Sequence, residues 1–292
     1  MELWFIVAVC GAIAAGVSNF FFKIAAKNNC DAEVFIFYSS LTSILIAGGL
    51  VILWQEPVFG FGAVAIILLG SGFISAASGS LKVYALRYID STIYFPLFKL
   101  LTPALAIVAG VTLFSESFSV LEWIGLGVGL LVPLMLISPA ENSRQQNLTM
   151  GLVLVLITGL ISALTAVAGK YAVDMDVPVF TTLLLTVIGL GFGSIGLMIY
   201  KRGVRGISSL IQTESSPLLL KTATARAILI SFGVWAMLFA FSLGGTLSVV
   251  QTIHSMYILI PIVLAVIFYN EHWNWQKGVA IGLSVVSLAF LG

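Results

Sequence analysis

Residues 92–114 read TIYFPLFKLLTPALAIVAGVTLF, a 23-residue apolar run that contains a single charged residue, Lys99. A bilayer core is about 30 Å thick, and a helix of roughly 20 apolar residues crosses it. The whole chain is 60% hydrophobic and 9% charged, whereas a soluble domain is about 25% charged. A water-soluble fold could not bury so much apolar surface. The sequence therefore predicts an all-α integral membrane protein.

Similar apolar runs recur along the chain, and together they predict ten transmembrane helices. They form two groups of five, within residues 1–140 and 148–292, which are separated by the polar stretch 141–147. Neither this break nor the second one, 201–225, is long enough for a soluble domain, so we expect one membrane domain. The predicted spans are 3–22, 34–54, 63–86, 92–114, 119–139, 149–169, 177–200, 226–245, 247–269 and 276–292.

The two groups of five carry matching features, which predict an internal repeat. Helix four ends in LFSE at Glu116 and helix nine ends in FYNE at Glu271. Lys99 and His254 each lie 17 residues before the corresponding glutamate. Five helices per repeat place the second repeat upside down relative to the first. We therefore expect two inverted five-helix repeats, in which Glu116 and Glu271 have structural roles at helix ends.

The basic residues predict an orientation in the membrane. Eleven of them lie on the side of the loops that follow helices one, three, five, seven and nine, and only Lys170 lies on the other side. The positive-inside rule places the basic side in the cytoplasm and both termini outside. The predicted location is a bacterial inner (plasma) membrane. The eleven residues are Lys23, Lys27, Lys82, Arg87, Arg144, Lys201, Arg202, Arg205, Lys221, Arg226 and Lys277.

Short motifs lie near helix ends and bends in the first half of the chain: GVSNF at 16–20 followed by Lys23, ALRY at 85–88, Pro103, and Glu116 followed by Gly125. With these motifs the chain resembles the ten-helix drug/metabolite transporter superfamily, its EamA-like branch in particular. The resemblance implies two inverted halves that alternate access to a central cavity lined by helices one, three, four, six, eight and nine. It also implies cytoplasmic termini, the opposite of the charge count. Ser115 departs from the family, which usually has glycine before this glutamate.

Lys99 is the strongest candidate for contact with a ligand. It lies about eight residues into helix four, roughly 10–12 Å from the helix end. A cation at such a depth costs about 2.5–3.5 kcal/mol on insertion scales, so it should face a wet cavity or a partner. We expect it to anchor an anionic or carboxylate group of a substrate. The alternative is a lysine that snorkels to the interface or pairs with a carbonyl.

Prolines predict bends near the same depth. Pro103 has no N–H to donate to the carbonyl of Lys99, and Pro96 and Pro261 have the same effect on the carbonyls of Thr92 and Tyr257. Kinks with free carbonyls beside a charge would suit a ligand site. The alternative is that neighbouring helices satisfy the freed backbone groups.

His254 is the one histidine within a predicted span. Because histidine changes charge near neutral pH, His254 is a candidate for proton coupling or for a hydrogen bond to substrate; the alternative is a satisfied core histidine. Other polar and aromatic side chains are candidates for the walls of the same site, although most aromatic residues in such a protein only pack or face lipid. These candidates are Lys82, Tyr84, Tyr94, Phe98, Gln251, Tyr257, Trp235 and Asn19.

The remaining features narrow the function class. No carboxylate lies deep within a span, and no cluster of His, Asp or Cys has metal or nucleophile spacing, so we expect neither an enzyme nor a metal or other cofactor. The net charge of +1 argues against a nucleic-acid partner. We predict a secondary transporter of a small polar metabolite (carboxylate-, phosphate- or amino-acid-like), with membrane lipid around it, protons as a candidate coupling ion, and a monomeric or homodimeric state. The alternatives are an exporter of cationic or aromatic compounds through an aromatic-lined cavity, and a non-transporting membrane scaffold.

Overall fold

The computed structural model describes residues 2–89, 91–136, 148–204, 211, 215–260 and 275–292. Within these residues the chain forms ten α-helices. They are α1 (Leu3–Lys27), α2 (Ala32–Trp54), α3 (Gly62–Tyr88), α4 (Ser91–Leu113), α5 (Val120–Met135), α6 (Leu148–Asp174), α7 (Val179–Arg202), α8 (Pro217–Ser242), α9 (Leu247–Met256) and α10 (Trp275–Leu291).

Seven of these helices, α1 to α4 and α6 to α8, are long and apolar enough to cross a membrane. Large apolar side chains remain exposed along them, among them Leu45, Ile52, Ile66 and Leu156. In a membrane protein this surface faces lipid, where burial inside the protein brings no hydrophobic gain. The all-α prediction is confirmed for the described residues, and their seven helices able to span a membrane support an integral membrane protein; the count of ten transmembrane helices stays a prediction.

Contacts between helix ends show that α2 and α7 run antiparallel. Lys201, in the last turn of α7, pairs with Asp31 at the start of α2, while Glu56, just after α2, accepts a hydrogen bond from the backbone of Thr181 in the first turn of α7. At the opposite end of the bundle, Glu116 follows α4 and contacts Ser248 at the start of α9. We call these two ends of the bundle the Asp31 end and the Glu116 end.

Glycine allows the closest approach between helices, that of α3 to α7. A Cβ on Gly72 would overlap the backbone of α7, and a Cβ on Gly189 or Gly193 would overlap the backbone of α3. Such small residues are what membrane helices use to pack, because van der Waals contact replaces the hydrophobic effect as the attraction between them. The contact joins an element from each half of the chain.

Some predicted helix bounds are wrong. α8 begins at Pro217, nine residues before the predicted span 226–245, because the Ser216 side chain caps its first turn and proline suits the first helical position. Arg226 therefore lies inside a helix and not in a polar break. α1 and α6 each continue five residues past their predicted ends, to Lys27 and Asp174.

The ninth predicted span, 247–269, also differs. α9 ends at Met256, and Tyr257 and Ile258 form a turn before the next helical residues. Pro261 and Glu271 lie outside the described residues, so their predicted roles stay predictions. The inverted repeat likewise stays a prediction.

Candidate functional site

A cavity of about 240 Å³ lies in the middle of the bundle. Its walls come from the six helices that the family resemblance implied, α1, α3, α4, α6, α8 and α9, and also from α2 and α7. α5 and α10 do not contribute to it and pack against each other instead. A concave space lined by side chains from eight helices is the usual form of a small-molecule binding site.

Two lysines predicted as site residues line this cavity, Lys99 from α4 and Lys82 from α3. Lys99 is only 7% exposed, and its Nζ lies 3.7 Å from the ring centroid of Tyr257 and 5.1 Å from that of Phe98. The Nζ of Lys82 lies 4.3 Å from the same Phe98 ring. Both ammonium groups therefore rest on aromatic faces, and Phe98 is shared between them.

Arg226 from α8 is the third cation of the cavity. Its guanidinium carbon lies 4.3 Å from the ring centroid of Phe22, and the Nζ of Lys82 lies 5.8 Å from that ring on α1. One guanidinium nitrogen, Nη1, donates a hydrogen bond to the hydroxyl of Ser39, whereas the buried Nε has no partner among the described residues. Cations and rings thus alternate in space from Tyr257 to Arg226.

No described carboxylate lines the cavity. The described acidic residues lie in loops or the end turns of helices, for example Asp31 and Glu33 at one end and Glu56 and Glu116 at the other. Cation–π attraction is worth only about 0.5–2 kcal/mol per contact, much less than a buried cation gains from a carboxylate at hydrogen-bond distance. The cavity therefore has a surplus of positive charge, which favours an anionic ligand.

The polar residues of α9 that were predicted as site residues face the same cavity: Gln251, His254 and Tyr257. The Nε2 atom of His254 is buried without a hydrogen-bond partner in the described part of the chain, and Gln251 donates only to the sulfur of Met237, a weak acceptor. These side chains have hydrogen-bonding capacity left for a ligand. Whether they bind one stays a prediction.

Asn19 does not line the cavity but holds one of its walls. Its Nδ2 donates to the hydroxyl of Tyr257 at 2.9 Å and to the backbone oxygen of Ala15 at 2.7 Å. Tyr257 lies in the turn after α9, and its carbonyl accepts a hydrogen bond of 2.9 Å from the backbone N–H of Ile260. The predicted free carbonyl at Tyr257 is therefore wrong, because the turn supplies a donor three residues on.

No family model and no curated protein matches this chain. Among solved structures, 27 chains match it. One, described simply as a crystal structure of a protein, has a TM-score of 0.72 at 12% identity and covers 98% of this chain and 95% of its own. This chain thus shares its fold, over nearly its full length, with a known structure.

Besides Asn19, four predicted wall residues do not line the cavity. Tyr94 stacks on Phe98 and hydrogen-bonds to Thr158 of α6 in the core. Trp235 stacks between Phe180 and Phe239, on the side of α8 that faces away from the cavity lining. Tyr84 donates to Glu33 near the Asp31 end. Phe98 does not line the cavity either, although it supports both lysines.

A polar network joins three helices at the Asp31 end of the bundle. The ammonium group of Lys201 contacts Asp31 at 2.7 Å and Glu33 at 2.9 Å, and the Tyr84 hydroxyl donates to Glu33 at 2.8 Å. Burial, the largest single effect, would raise the pKa of the Asp31 carboxyl, but its hydrogen bonds to Lys201, Glu33 and the backbone of Val34, together with the charge of Lys201, outweigh burial and hold the pKa below the ordinary value of 3.8. The network joins α2, α3 and α7.

A second polar cluster joins two helices at the Glu116 end. The Glu116 carboxylate accepts hydrogen bonds from the backbone N–H groups of Leu247 and Ser248 and from the Ser248 hydroxyl, and so caps α9. The backbone N–H of Glu116 donates to the carbonyl of Gly110 at 3.0 Å, which closes α4. Glu116 thus joins the end of α4 to the start of α9, whereas the sequence indicated a role at α4 alone.

Arg226 is the functional candidate that the sequence analysis missed, because it was counted as a loop residue that sets the membrane orientation. The pair Ser216–Pro217 is a helix-start signal and would have placed Arg226 in the third turn of α8. Lys82 was counted for orientation as well. Without Lys82 and Arg226 in the count, nine basic residues remain on one side of the membrane and one on the other, so the predicted orientation is unchanged.

Proposed function

We propose that this protein is a secondary transporter that moves a small polar metabolite with an anionic group (carboxylate-, phosphate- or amino-acid-like) across the membrane by alternating access. The observation that carries the proposal is the cavity itself, which places Lys82, Lys99 and Arg226 together with no described carboxylate among its lining. The proposal includes membership of the EamA-like drug/metabolite transporters and a bacterial inner membrane, on the motifs and the charge count given above.

The cations of the cavity would bind the anionic group of the ligand. In the cavity Lys99 rests on the ring of Tyr257. An anionic group that enters would take the ammonium as its partner, since a charge-assisted hydrogen bond is stronger than the ring contact. Gln251 and His254, which have hydrogen-bonding capacity left, would then orient the rest of the ligand.

The helix ends supply gates. The contacts of Lys201 at the Asp31 end and of Glu116 at the other end are polar and lie near helix termini, so they can break and reform without opening an apolar core. The turn at Tyr257 interrupts a helix beside the cavity, an arrangement that transporters use at their substrate sites. Alternating access would open one end while the other stays closed.

The cation cluster weighs against an exporter of cationic compounds. The rings that could hold a quaternary amine, those of Tyr257, Phe98 and Phe22, already lie against the protein's own cations. A cationic ligand would have to displace these and would meet like charges. A non-transporting scaffold would have no use for a buried cationic cavity.

The test begins with thermal unfolding of purified protein against organic anions, zwitterionic amino acids and quaternary amines. The proteins are wild type, Lys99→Met and, as the matched control, Lys221→Met, which removes an exposed lysine of α8. A ligand at a hundred times its Kd stabilises the protein by about 2.7 kcal/mol. We expect stabilisation by anions or zwitterions in wild type and Lys221→Met, and its loss in Lys99→Met.

Flux separates a transporter from a scaffold. Proteoliposomes that contain wild-type protein should take up the radiolabelled ligand found in the screen faster than empty liposomes. Stabilisation by amines alone, unchanged in Lys99→Met, would overturn the proposed substrate class, and binding without uptake would overturn transport.

A further inference from the structure

We infer that the ligand of the central cavity is a dianion of the phosphate-monoester class, bound at its doubly charged head by Lys82, Lys99 and Arg226. The inference rests on the proposed transport function and narrows its substrate. Its first support is charge balance. A monocarboxylate would compensate one of three cations and leave two, whereas a phosphate monoester compensates two at a single group. An uncompensated charge away from water is costly, so the cavity favours the more highly charged head.

The second support is the placement of the three cations. Lys82, Lys99 and Arg226 lie roughly 9–14 Å along their helices from the Asp31 end. The two ammonium groups share the Phe98 ring, so their separation cannot exceed the sum of their distances to it, 4.3 and 5.1 Å. All three charges therefore gather in one half of the cavity and suit one compact, multiply charged group.

The third support is the unused edge of Arg226. Its Nη1 is engaged by Ser39, but its Nε is buried and has no partner among the described residues. A guanidinium matches the oxygens of a phosphate through two N–H groups at once. The three terminal oxygens of a phosphate monoester could accept hydrogen bonds from the arginine and from both lysines together, while a carboxylate has two oxygens.

The lining of the rest of the cavity indicates the chemistry of the uncharged part of the ligand. Its middle part carries hydroxyl pairs between helices, Ser231 with Ser43 at 2.9 Å and Ser75 with Thr165 at 2.8 Å. These hydroxyls can donate to and accept from the hydroxyls of a ligand. The cavity of about 240 Å³ is smaller than the roughly 300 Å³ at which sites for drug-sized ligands begin. A short polyol phosphate fits this description better than a dicarboxylate, because a phosphate places both charges on one group that all three cations can share.

The experiment uses matched anions on purified wild-type protein in detergent at pH 8, with calorimetry at constant ionic strength in chloride. Methyl phosphate is a dianion there, because its second proton leaves near pH 6. Dimethyl phosphate is nearly the same size and is a monoanion. Glycerol 3-phosphate adds hydroxyls, succinate is the dicarboxylate and lactate the monocarboxylate. We expect methyl phosphate to bind about tenfold or more tightly than dimethyl phosphate, and glycerol 3-phosphate to bind more tightly than succinate or lactate.

Variants test whether Arg226 causes the preference for methyl phosphate over dimethyl phosphate. Arg226→Met should reduce the ratio of the affinity for methyl phosphate to that for dimethyl phosphate several-fold. Arg226→Lys should retain part of this ratio, and Lys221→Met should leave it unchanged. Equal binding of the two phosphate esters, or tighter binding of succinate or lactate than of glycerol 3-phosphate, would overturn the dianion assignment and leave the proposed anion transport standing. Binding of amines and of none of the anions would overturn both. Because the decisive ratio is measured on wild type, a variant that fails to fold does not weaken the test.

Discussion

Replacing Glu116 with alanine should destabilise the protein by removing a cap that one helix supplies to another. The carboxylate accepts hydrogen bonds from the N–H of Leu247, the N–H of Ser248 and the hydroxyl of Ser248, all in the first turn of α9. Loss of an N-cap costs about 0.5–2 kcal/mol, and loss of a negative charge at a helix N-terminus costs about 0.3–1 kcal/mol more. Since Glu116 is half-buried, we expect values near the top of these ranges, about 2–3 kcal/mol in total.

Thermal unfolding in detergent measures this loss. For a chain of this size, about 1 kcal/mol corresponds to roughly 2–4 °C, so Glu116→Ala should lower Tm by roughly 4–12 °C. Glu116→Gln keeps one acceptor oxygen and should lose about half as much. The matched control is Glu122→Ala, which removes the capping box at the exposed start of α5 and should cost about 1 kcal/mol.

Hydrogen exchange distinguishes a cap between helices from a general loss of stability. In Glu116→Ala the amides at the start of α9, Leu247 and Ser248, should exchange faster than in wild type. The amide of residue 116 should stay protected, because its backbone bond to Gly110 does not depend on the side chain. A Tm no lower than that of Glu122→Ala, with unchanged exchange at the start of α9, would refute the assignment.

Three further changes test other parts of the structure by thermal unfolding. Ser115 has a left-handed backbone, φ 52°, so Ser115→Gly should raise stability by about 1 kcal/mol; a lower Tm would contradict this. Lys201→Met should cost about 1 kcal/mol, because its ion pairs are partly exposed. Because the pKa of Asp31 is lowered in the folded protein, its contribution to stability is complete above its ordinary pKa of 3.8 and is lost as the pH falls below that value; Lys201→Met should show less of this acid dependence, and an unchanged dependence would count against the network. Gly72→Ala should separate α3 from α7 and lower Tm by several degrees, whereas Gly70→Ala meets open space and should not; equal effects would argue against the close contact.

The membrane fold and part of the site could be predicted from the sequence because depth in a bilayer constrains polar residues strongly. Lys99 had to face a cavity or a partner on energetic grounds, and it lines the cavity. Gln251, His254 and Tyr257 form the most polar stretch of their span and line it too. In each case a polar group in an apolar run restricted the possible environments.

The environments of the aromatic residues could not be predicted in this way. Tyr94 and Phe98 lie one helical turn apart and stack at 5.9 Å, so they share a face of α4. That face meets Thr158 of α6, and only the ammonium groups above Phe98 reach the cavity. An aromatic side chain is stable against lipid, a neighbouring helix or a ligand. Its type therefore does not predict which of these it contacts, and the faces of Tyr84, Tyr94 and Trp235 depend on the packing of distant segments.

Arg226 was missed for a different reason, and the reason bears on how the cavity works. A span predicted from a run of apolar residues begins only after the last charged residue. This method therefore assigns a charged residue in the first turns of a helix to the preceding loop. The structure instead keeps Arg226 inside the bundle, on the ring of Phe22, and places the described carboxylates in loops or near the helix ends. Ion pairs thereby join helices at the Asp31 end and hydrogen bonds to Glu116 join them at the other end, while rings hold the cations of the cavity. A ring contact of about 0.5–2 kcal/mol keeps a cation in place yet yields it to an anion, whereas a buried carboxylate partner would cost about 3–5 kcal/mol to remove and would compete with the ligand. The separation of carboxylates from the cavity is therefore what leaves its positive charge available for binding.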